Sequence, residues 1–266
     1  MAQKITQLSV VIIAGNEASM ILDCLGSAAF ASEVILVAAN STDDTVKIAK
    51  SIRPDLIVTK TSDSYNKNFS KWRNLGSNLA TKPWLFHLDA DERFTPQLTK
   101  EISKLLTTPQ TSTHFAVPRA NFFLGTRVKH GGSYPDYVIR LFQKSVFHGH
   151  TGFLHEQPIV DGILGYLNNP LLHFTHRHLS SMVTKTISWT DMEAIKIFKT
   201  GHPPVVWWRF VRMMFTKLWE RLIVGQFWRD GTIGFISSIF EAFDTFIIYA
   251  RLYELQHSSN HENRTL

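Results

Sequence analysis

The chain has 266 residues, 44% hydrophobic and 19% charged, with a formal net charge of +6. That length accommodates one large α/β domain with an appendage, and the composition is too apolar for disorder outside the polar stretch from His257 to Leu266. Cys24 is the only cysteine, which excludes an internal disulfide and a cysteine-rich zinc site and suits a reducing cytosol; the positive charge leaves nucleic acid, an anionic membrane face or phosphorylated ligands as partners.

Residues 8–13 form a buried strand, too short and wrongly flanked to be a signal peptide. A helix follows over 18–29, a strand over 33–37, and a helix over 43–52 with Ser41, Thr42 and Asp43 as cap candidates. A third strand covers 56–59, a helix 67–79, and a fourth strand 84–88. Strands alternating with helices predict right-handed parallel crossovers and a doubly wound sheet. Residues 96–106 read as a helix. From His114 to Phe174, Gly, Pro and aromatics with short strand-like pieces at 115–118, 138–142 and 171–174 predict an irregular β layer. Residues 180–199 look helical, and His202-Pro203-Pro204 forms a hinge into the last region.

In that region, 205–255, Arg209, Arg212, Thr216, Lys217, Glu220 and Arg221 gather on one side of a helical wheel. Trp207, Trp208, Val211, Phe215 and Trp219 cover the other. A basic face opposite a Trp/Phe/Leu face marks a helix lying in a membrane interface; the alternative is a helix packed on the domain with snorkelling Arg and Lys. Residues 233–252 are Phe-rich, but Ser237, Ser238, Glu241 and Asp244 interrupt them, and no unbroken apolar run reaches the roughly 18 residues of a spanning helix.

The chemistry concentrates at Trp84-Leu85-Phe86-His87-Leu88-Asp89-Ala90-Asp91-Glu92, an apolar run ending in two carboxylates at i and i+2. That spacing points both to one side of an extended segment. Hard oxygen ligands at the carboxyl edge of a buried strand suit Mg²⁺ or Mn²⁺ shared with a ligand's phosphates. The competing reading makes Asp91 and Glu92 caps for the helix after Pro96. Ala14-Gly15-Asn16-Glu17 ends the first strand, and Ala38-Ala39-Asn40-Ser41-Thr42-Asp43 the second; both can meet a nucleotide or simply turn and cap. Arg73 precedes the acidic strand and can reach a diphosphate. His173, His176 and His178 cluster in sequence, but neighbouring histidines are more often structural.

Asn16-Glu17, Ser41-Thr42-Asp43, Arg73-Asn74 and Asp89-Ala90-Asp91-Glu92, in that order, resemble the inverting family 2 glycosyltransferases. Gly132-Ser133-Tyr134-Pro135, Arg140-Leu141-Phe142, Leu154-His155-Glu156, Leu172-His173 and the turn Trp228–Arg229–Asp230–Gly231 are similar to the branch of lipopolysaccharide-core β-glucosyltransferases. The resemblance implies a GT-A fold, an α/β Rossmann-like and mostly parallel sheet flanked by helices, with a C-terminal amphipathic helical extension. It divides the chain into a catalytic domain at 1–200, with a nucleotide-binding half at 1–110 and an acceptor half at 111–200. An amphipathic membrane-associating extension follows at 201–256, then a flexible tail at 257–266.

The resemblance further implies a metal-dependent single displacement from a nucleotide-sugar, a UDP-sugar being favoured, to a lipid-linked or lipopolysaccharide-core glycan. Asp89 would face the ribose or the metal, and Asp91 would bind the Mg²⁺ or Mn²⁺. Asn16, Glu17 and Asp43 would line the nucleotide, with Arg73 and Arg140 on the phosphates. Inversion needs a base on the acceptor side: Glu156, following Gly152-Phe153-Leu154-His155, is the candidate and Asp136 the runner-up. One departure stands out: Ala38 replaces the acidic contact to the base, a loss of about 1–3 kcal/mol in discrimination. The enzyme would sit peripherally on the inner, cytoplasmic face of the cytoplasmic membrane, against its anionic surface, with no nucleic-acid partner. The rivals are a sugar nucleotidyltransferase, for which 14–17 lacks the expected Gly-rich basic loop, and a non-catalytic membrane-associated nucleotide-sugar-binding protein.

Overall fold

A computed structural model describes residues 4–61, 68–132, 134–152, 156–175 and 177–262. Ser133, Phe153, Leu154, His155 and His176, named in the motifs above, lie outside the described residues. The chain forms two compact units, Met1–Ala120 with Pro135–His173, and Asn121–Tyr134 with Phe174–Leu266.

In the first unit, β1 (Ile5–Ala14), α1 (Ile21–Ser27), β2 (Ala31–Ala39), α2 (Thr45–Ile52), β3 (Ile57–Thr61), α3 (Phe69–Leu79) and β4 (Trp84–Asp89) alternate as expected. The strands run parallel in the order β3-β2-β1-β4, with Ile12 beside Leu36 and Ile13 beside Asp89. From Val10 to Ala14, β1 is a continuous apolar run because both its faces are covered there. Val10 and Ile12 enter a core with Ile21 and Leu25 of α1 and with Leu98 and Ile102. Val11 and Ile13 enter a second core with Trp72, Leu85 and Phe142. α3 lies close over this second face because Gly76 has no side chain: a Cβ there would come within 2.9 Å of Val37 Cγ2 and closer still to Val11.

α1 starts at Ile21 rather than at 18 because Met20 and Ile21 first turn onto the Glu17 carbonyl. Beyond β4 come β5 (Glu92–Phe94), α4 (Pro96–Leu106), β6 (His114–Phe123), β7 (Thr126–Arg127) and β8 (Asp136–Gln143). The short pieces expected at 115–118 and 138–142 are therefore the middles of two longer strands, which extend the sheet antiparallel past β4. Next are β9 (Phe147–Thr151), β10 (Gln157–Val160), β11 (Leu164–Tyr166) and β12 (Leu171–His173). β9 and β10 make a separate two-stranded hairpin. β12 pairs antiparallel with β5, setting His173 opposite Glu92.

The second unit contains α5 (Leu179–Lys199), α6 (Trp207–Trp219) and α7 (Gly231–Glu262), with α6 and α7 joined through a π-helical turn at Glu220–Val224 and a 3-10 turn at Phe227–Asp230. α7 continues into the stretch that the sequence marks as a polar tail. Ala194, Val205 and Leu252, with Phe210 and Tyr249, form one small core, and Val128, Phe227 and Ile233 another. Arg221 is a hub: it donates to the Gly131 carbonyl at 2.7 Å, pairs with Glu241 at 2.6 Å and stacks over Phe227. By length and composition alone, α7 is long and apolar enough to cross a membrane, where the sequence reading found no such run. Its interrupting polar residues are buried or paired within the unit. Ser237 and Ser238 are buried, and Asp244 accepts from Thr186 of α5 at 2.6 Å.

Candidate active site

The carboxyl ends of β1, β2 and β4 meet at one edge of the sheet, and the acidic pair sits there. Asp89 closes β4, and Asp91 stands two residues on, before β5. Neither acts as a helix cap. Thr95 caps α4, its hydroxyl accepting from Leu98 N at 3.1 Å, with Pro96 at the first position. That decides between the two readings of the peptide against the cap.

Asp89 is enclosed by arginines. Its Oδ1 accepts from Arg73 Nη2 at 2.7 Å, and its Oδ2 accepts from Arg140 Nη2. Burial raises its pKa, but the Arg140 and Arg73 guanidinia outweigh this and hold the carboxyl well below the usual range. Arg140 lies at a β-bulge: Phe115 pairs with Leu141 and Ala116 with Ile139, so Arg140 has no partner in β6. Bulges re-aim side chains, and this one serves Asp89 and the fully buried Glu92, whose Oε1 accepts from Arg140 at 2.7 Å. Glu92 Oε2 also takes the backbone N–H of Asp89 at 2.9 Å. Burial works against the Arg140 charge, yet Asp89 and Glu92 raise its pKa above the ordinary arginine value.

Arg73, only 3% exposed, extends the network to Glu156: its Nε donates to Glu156 Oε1 at 2.6 Å. Arg73 and Arg140, expected on a diphosphate, are thus committed to carboxylates, and a cation beside Asp89 would face two guanidinia. The nitrogens Arg73 Nη1 and Arg140 Nε are buried without a hydrogen-bond partner. Asp136 is likewise held, by Arg119 Nη2 at 2.7 Å and Nε at 2.9 Å.

Asp91 meets a different neighbour. His173 Nε2 is 3.5 Å from Asp91 Oδ2, both side chains partly exposed. The β5–β12 register brings them together across some eighty residues of chain. Sequence proximity to His176 and His178 concealed this; the signal lay in the strand-like Leu171-Leu172-His173, which needed a partner. Among the described residues no cluster of three or more His, Cys, Asp or Glu forms.

The expected nucleotide contacts are knitted together. Asn16 Oδ1 accepts from Thr42 N at 2.7 Å, and Asp43 accepts from Ala18 N and Thr45 N at 3.0 Å each and from Thr45 Oγ1 at 2.5 Å. Burial opposes it, but these donors lower the Asp43 pKa. Glu17 N donates to Thr45 Oγ1 at 2.8 Å. Asn16 and Asp43 therefore clasp the loops after β1 and β2, and both remain exposed at the surface. Ala38 is buried in β2.

Behind the carboxylates, Arg73 and Asn74 stand in a polar group whose other members, Ser70 and Ser77, the sequence does not single out. Ser70, Arg73, Asn74 and Ser77 fall at i, i+3, i+4 and i+7 on α3, and all four turn inward. A polar stripe at helical spacing beside an acidic strand was the available signal. Ser77 Oγ lies 2.8 Å from Nε2 of His87, which is fully buried and stacks near His150. Burial, with help from Arg73 and Arg140, keeps both imidazoles neutral, His150 down to about 3.

The family model described as Glycosyl transferase family 2 matches residues 9–160, more than half of the chain. A relative is the lipopolysaccharide core biosynthesis glycosyltransferase LpsC of Rhizobium meliloti (strain 1021), 24% identical over 93% of this chain and 92% of that protein. The uncharacterized glycosyltransferase RT0209 of Rickettsia typhi is 24% identical over 94% of this chain and 87% of its own length. Among solved structures, S. aureus TarS 1-349 in complex with UDP-GlcNAc is 13% identical, covering 96% of this chain and 92% of that one, with a TM-score of 0.48.

Proposed function

From the premise that this chain belongs to glycosyltransferase family 2, we propose that it inverts the anomeric centre of a nucleotide-sugar while transferring the sugar to a lipid-linked or lipopolysaccharide-core glycan. The observation that carries this reading is that Asp91, approached by His173, stands two residues from Asp89, which Arg73 ties to the carboxylate Glu156. The acceptor class rests on the likeness to LpsC.

Asp91 and His173 would hold a divalent cation. An oxygen and an imidazole donor fit Mn²⁺, and Mg²⁺ when phosphate oxygens and water fill the other positions. When bound, the cation offsets charge growing on the departing diphosphate. Asp89, held anionic by its two arginines, keeps lone pairs for the ribose hydroxyls. Glu156 takes the proton of the acceptor hydroxyl as its oxygen bonds to the anomeric carbon. The bond to the diphosphate breaks, and its electron pair leaves with the nucleotide. Since Asn16 and Asp43 clasp each other's loops and Ala38 offers no carboxylate, the nucleotide base is recognised by the shape of this edge more than by a charged partner.

The exposed stripe Trp207, Val211, Phe215 and Trp219 on α6 supports a peripheral position on the anionic inner face of the cytoplasmic membrane. Trp207 is 79% exposed and Phe215 68%, while Arg209 and Arg212 lie over Trp208.

The test is nucleotide release from UDP-, GDP- and dTDP-sugars with Mn²⁺ or Mg²⁺. We expect turnover with one nucleotide class and losses of about 10²–10⁴ in Asp91→Ala and Glu156→Ala. Full activity in both variants overturns the mechanism, and a loss in Asp136→Asn but not Glu156→Ala moves the base to Asp136. Donor binding without any nucleotide release would favour a non-catalytic protein.

A further inference from the structure

The base Glu156 precedes β10, at the tip of a two-stranded hairpin that lies outside the large sheet. A hairpin alone is marginal in water, so something else must set where its tip points. Its root is anchored by Phe147 and Val160, which pack on the second core. Its tip is anchored by α3. Asn74 closes a reciprocal pair with the backbone of His150, its Nδ2 donating to His150 O at 3.0 Å and its Oδ1 accepting from His150 N at 2.7 Å. Ser70 Oγ donates to Gly152 O at 2.6 Å.

The fit is close. Gly149, at φ +116°, would carry a Cβ only 3.0 Å from Asn74 Oδ1, so β9 approaches Asn74 as only a glycine allows. His150, which Asn74 holds, pairs with Pro158, and the next residue, Thr151, pairs with Gln157, which directly follows Glu156. Arg73, between Ser70 and Asn74 on the same helical face, then reaches Glu156.

Building on the role given to Glu156 above, we propose that Asn74, assisted by Ser70, is the positioning residue of the base. It registers the β9–β10 hairpin against α3 so that Glu156 stands at Arg73 and beside the reacting carbon. A side-chain amide suits this task, since its separate N–H and C=O groups can meet one residue's backbone C=O and N–H at the same time. In this role Asn74 acts through the hairpin and not on the reacting atoms, so its loss lowers the rate of the proton-transfer step without weakening donor binding.

The experiment measures nucleotide release to water, from UDP-glucose or the panel's best donor with Mn²⁺, in wild type, Asn74→Asp, Asn74→Ala, Ser70→Ala and Glu156→Gln. Asn74→Asp keeps the size and the acceptor but loses the donor. We expect kcat to fall about 10- to 100-fold in both Asn74 variants and less in Ser70→Ala, with donor KM and Mn²⁺–UDP affinity within twofold of wild type. Amide exchange at His150 should quicken in the same variants. If kcat stays within twofold of wild type in folded Asn74→Asp while Glu156→Gln is inactive, the positioning role is wrong and the base assignment stands. If KM, UDP affinity and melting temperature all shift together with kcat, Asn74 is merely structural. If Asn74→Ala and Asn74→Asp fail to fold, a Ser70→Ala enzyme with unchanged kcat overturns the proposal. If Glu156→Gln remains active, the base assignment itself fails and the positioning role with it.

Discussion

Arg140 holds two carboxylates from a bulged position, and it has no water to fall back on. Removing one member of a buried charge cluster leaves the others uncompensated, which costs about 3–5 kcal/mol. Arg140→Met should therefore lower stability by about that much in urea denaturation; a loss under 1 kcal/mol would show that Asp89 and Glu92 do not depend on it. The buried imidazoles give a second residue-level prediction. The folded chain refuses protons that the unfolded chain accepts at His87 and His150. They leave stability unchanged above about pH 6.5 and erode it below, by about 1.4 kcal/mol per pH unit for each, until His150 itself titrates near pH 3. His150→Phe keeps a ring in the cluster and removes the proton site, so its urea midpoint should fall less steeply from pH 6 to 4 than that of wild type; parallel curves would contradict it. At this scale the sequence showed Asp91 and Glu156 but hid their partners. Glu92 looked like a cap because its counterion, Arg140, comes from a bulge 48 residues later. His173 looked structural because only strand register brings it to Asp91.

Among the elements, α3 does most to set the site, and Gly76 sets α3. Gly76→Ala would force the helix off Val11 and Val37, so overpacking should cost about 1–3 kcal/mol. An unchanged melting temperature would mean that the helix has room to move. α6 faces outward, with its aromatic stripe exposed. Burying several such rings in a membrane interface is worth several kcal/mol at about 25 cal/mol per Å². Replacing Trp207, Phe215 and Trp219 by serine should thus reduce partitioning to phosphatidylglycerol vesicles more than tenfold; equal sedimentation of variant and wild type would refute a membrane role for this face. Elements with a clear period are legible: α4 has the bounds 96–106 read from the sequence, although its cap is Thr95. β6 and β8 were shortened in the reading because Pro118, Arg119 and Asn121 on β6, and Asp136 and Arg140 on β8, break the alternation that marks a strand. α3 and its Arg73 are legible in the sequence, but the inward turn of Ser70 and Ser77 is not, since a helix normally turns such residues outward.

At the scale of the whole chain, composition, order of elements and family agree: a parallel half, an antiparallel continuation, and a C-terminal helical unit rich in exposed aromatics. The net charge of +6 suits a phosphorylated donor and an anionic surface together. The proposed chemistry has the acidic strand and β12 present Asp91 and His173 to one cation. Calorimetric titration of Mn²⁺ in the presence of UDP, or of the nucleoside diphosphate that the donor panel selects, reads this directly. Wild type and Glu156→Gln should bind alike, and Asp91→Ala and His173→Ala should each bind at least about tenfold more weakly, a difference of 1.4 kcal/mol. Equal affinity in all four proteins would contradict the assignment of the cation to Asp91 and His173.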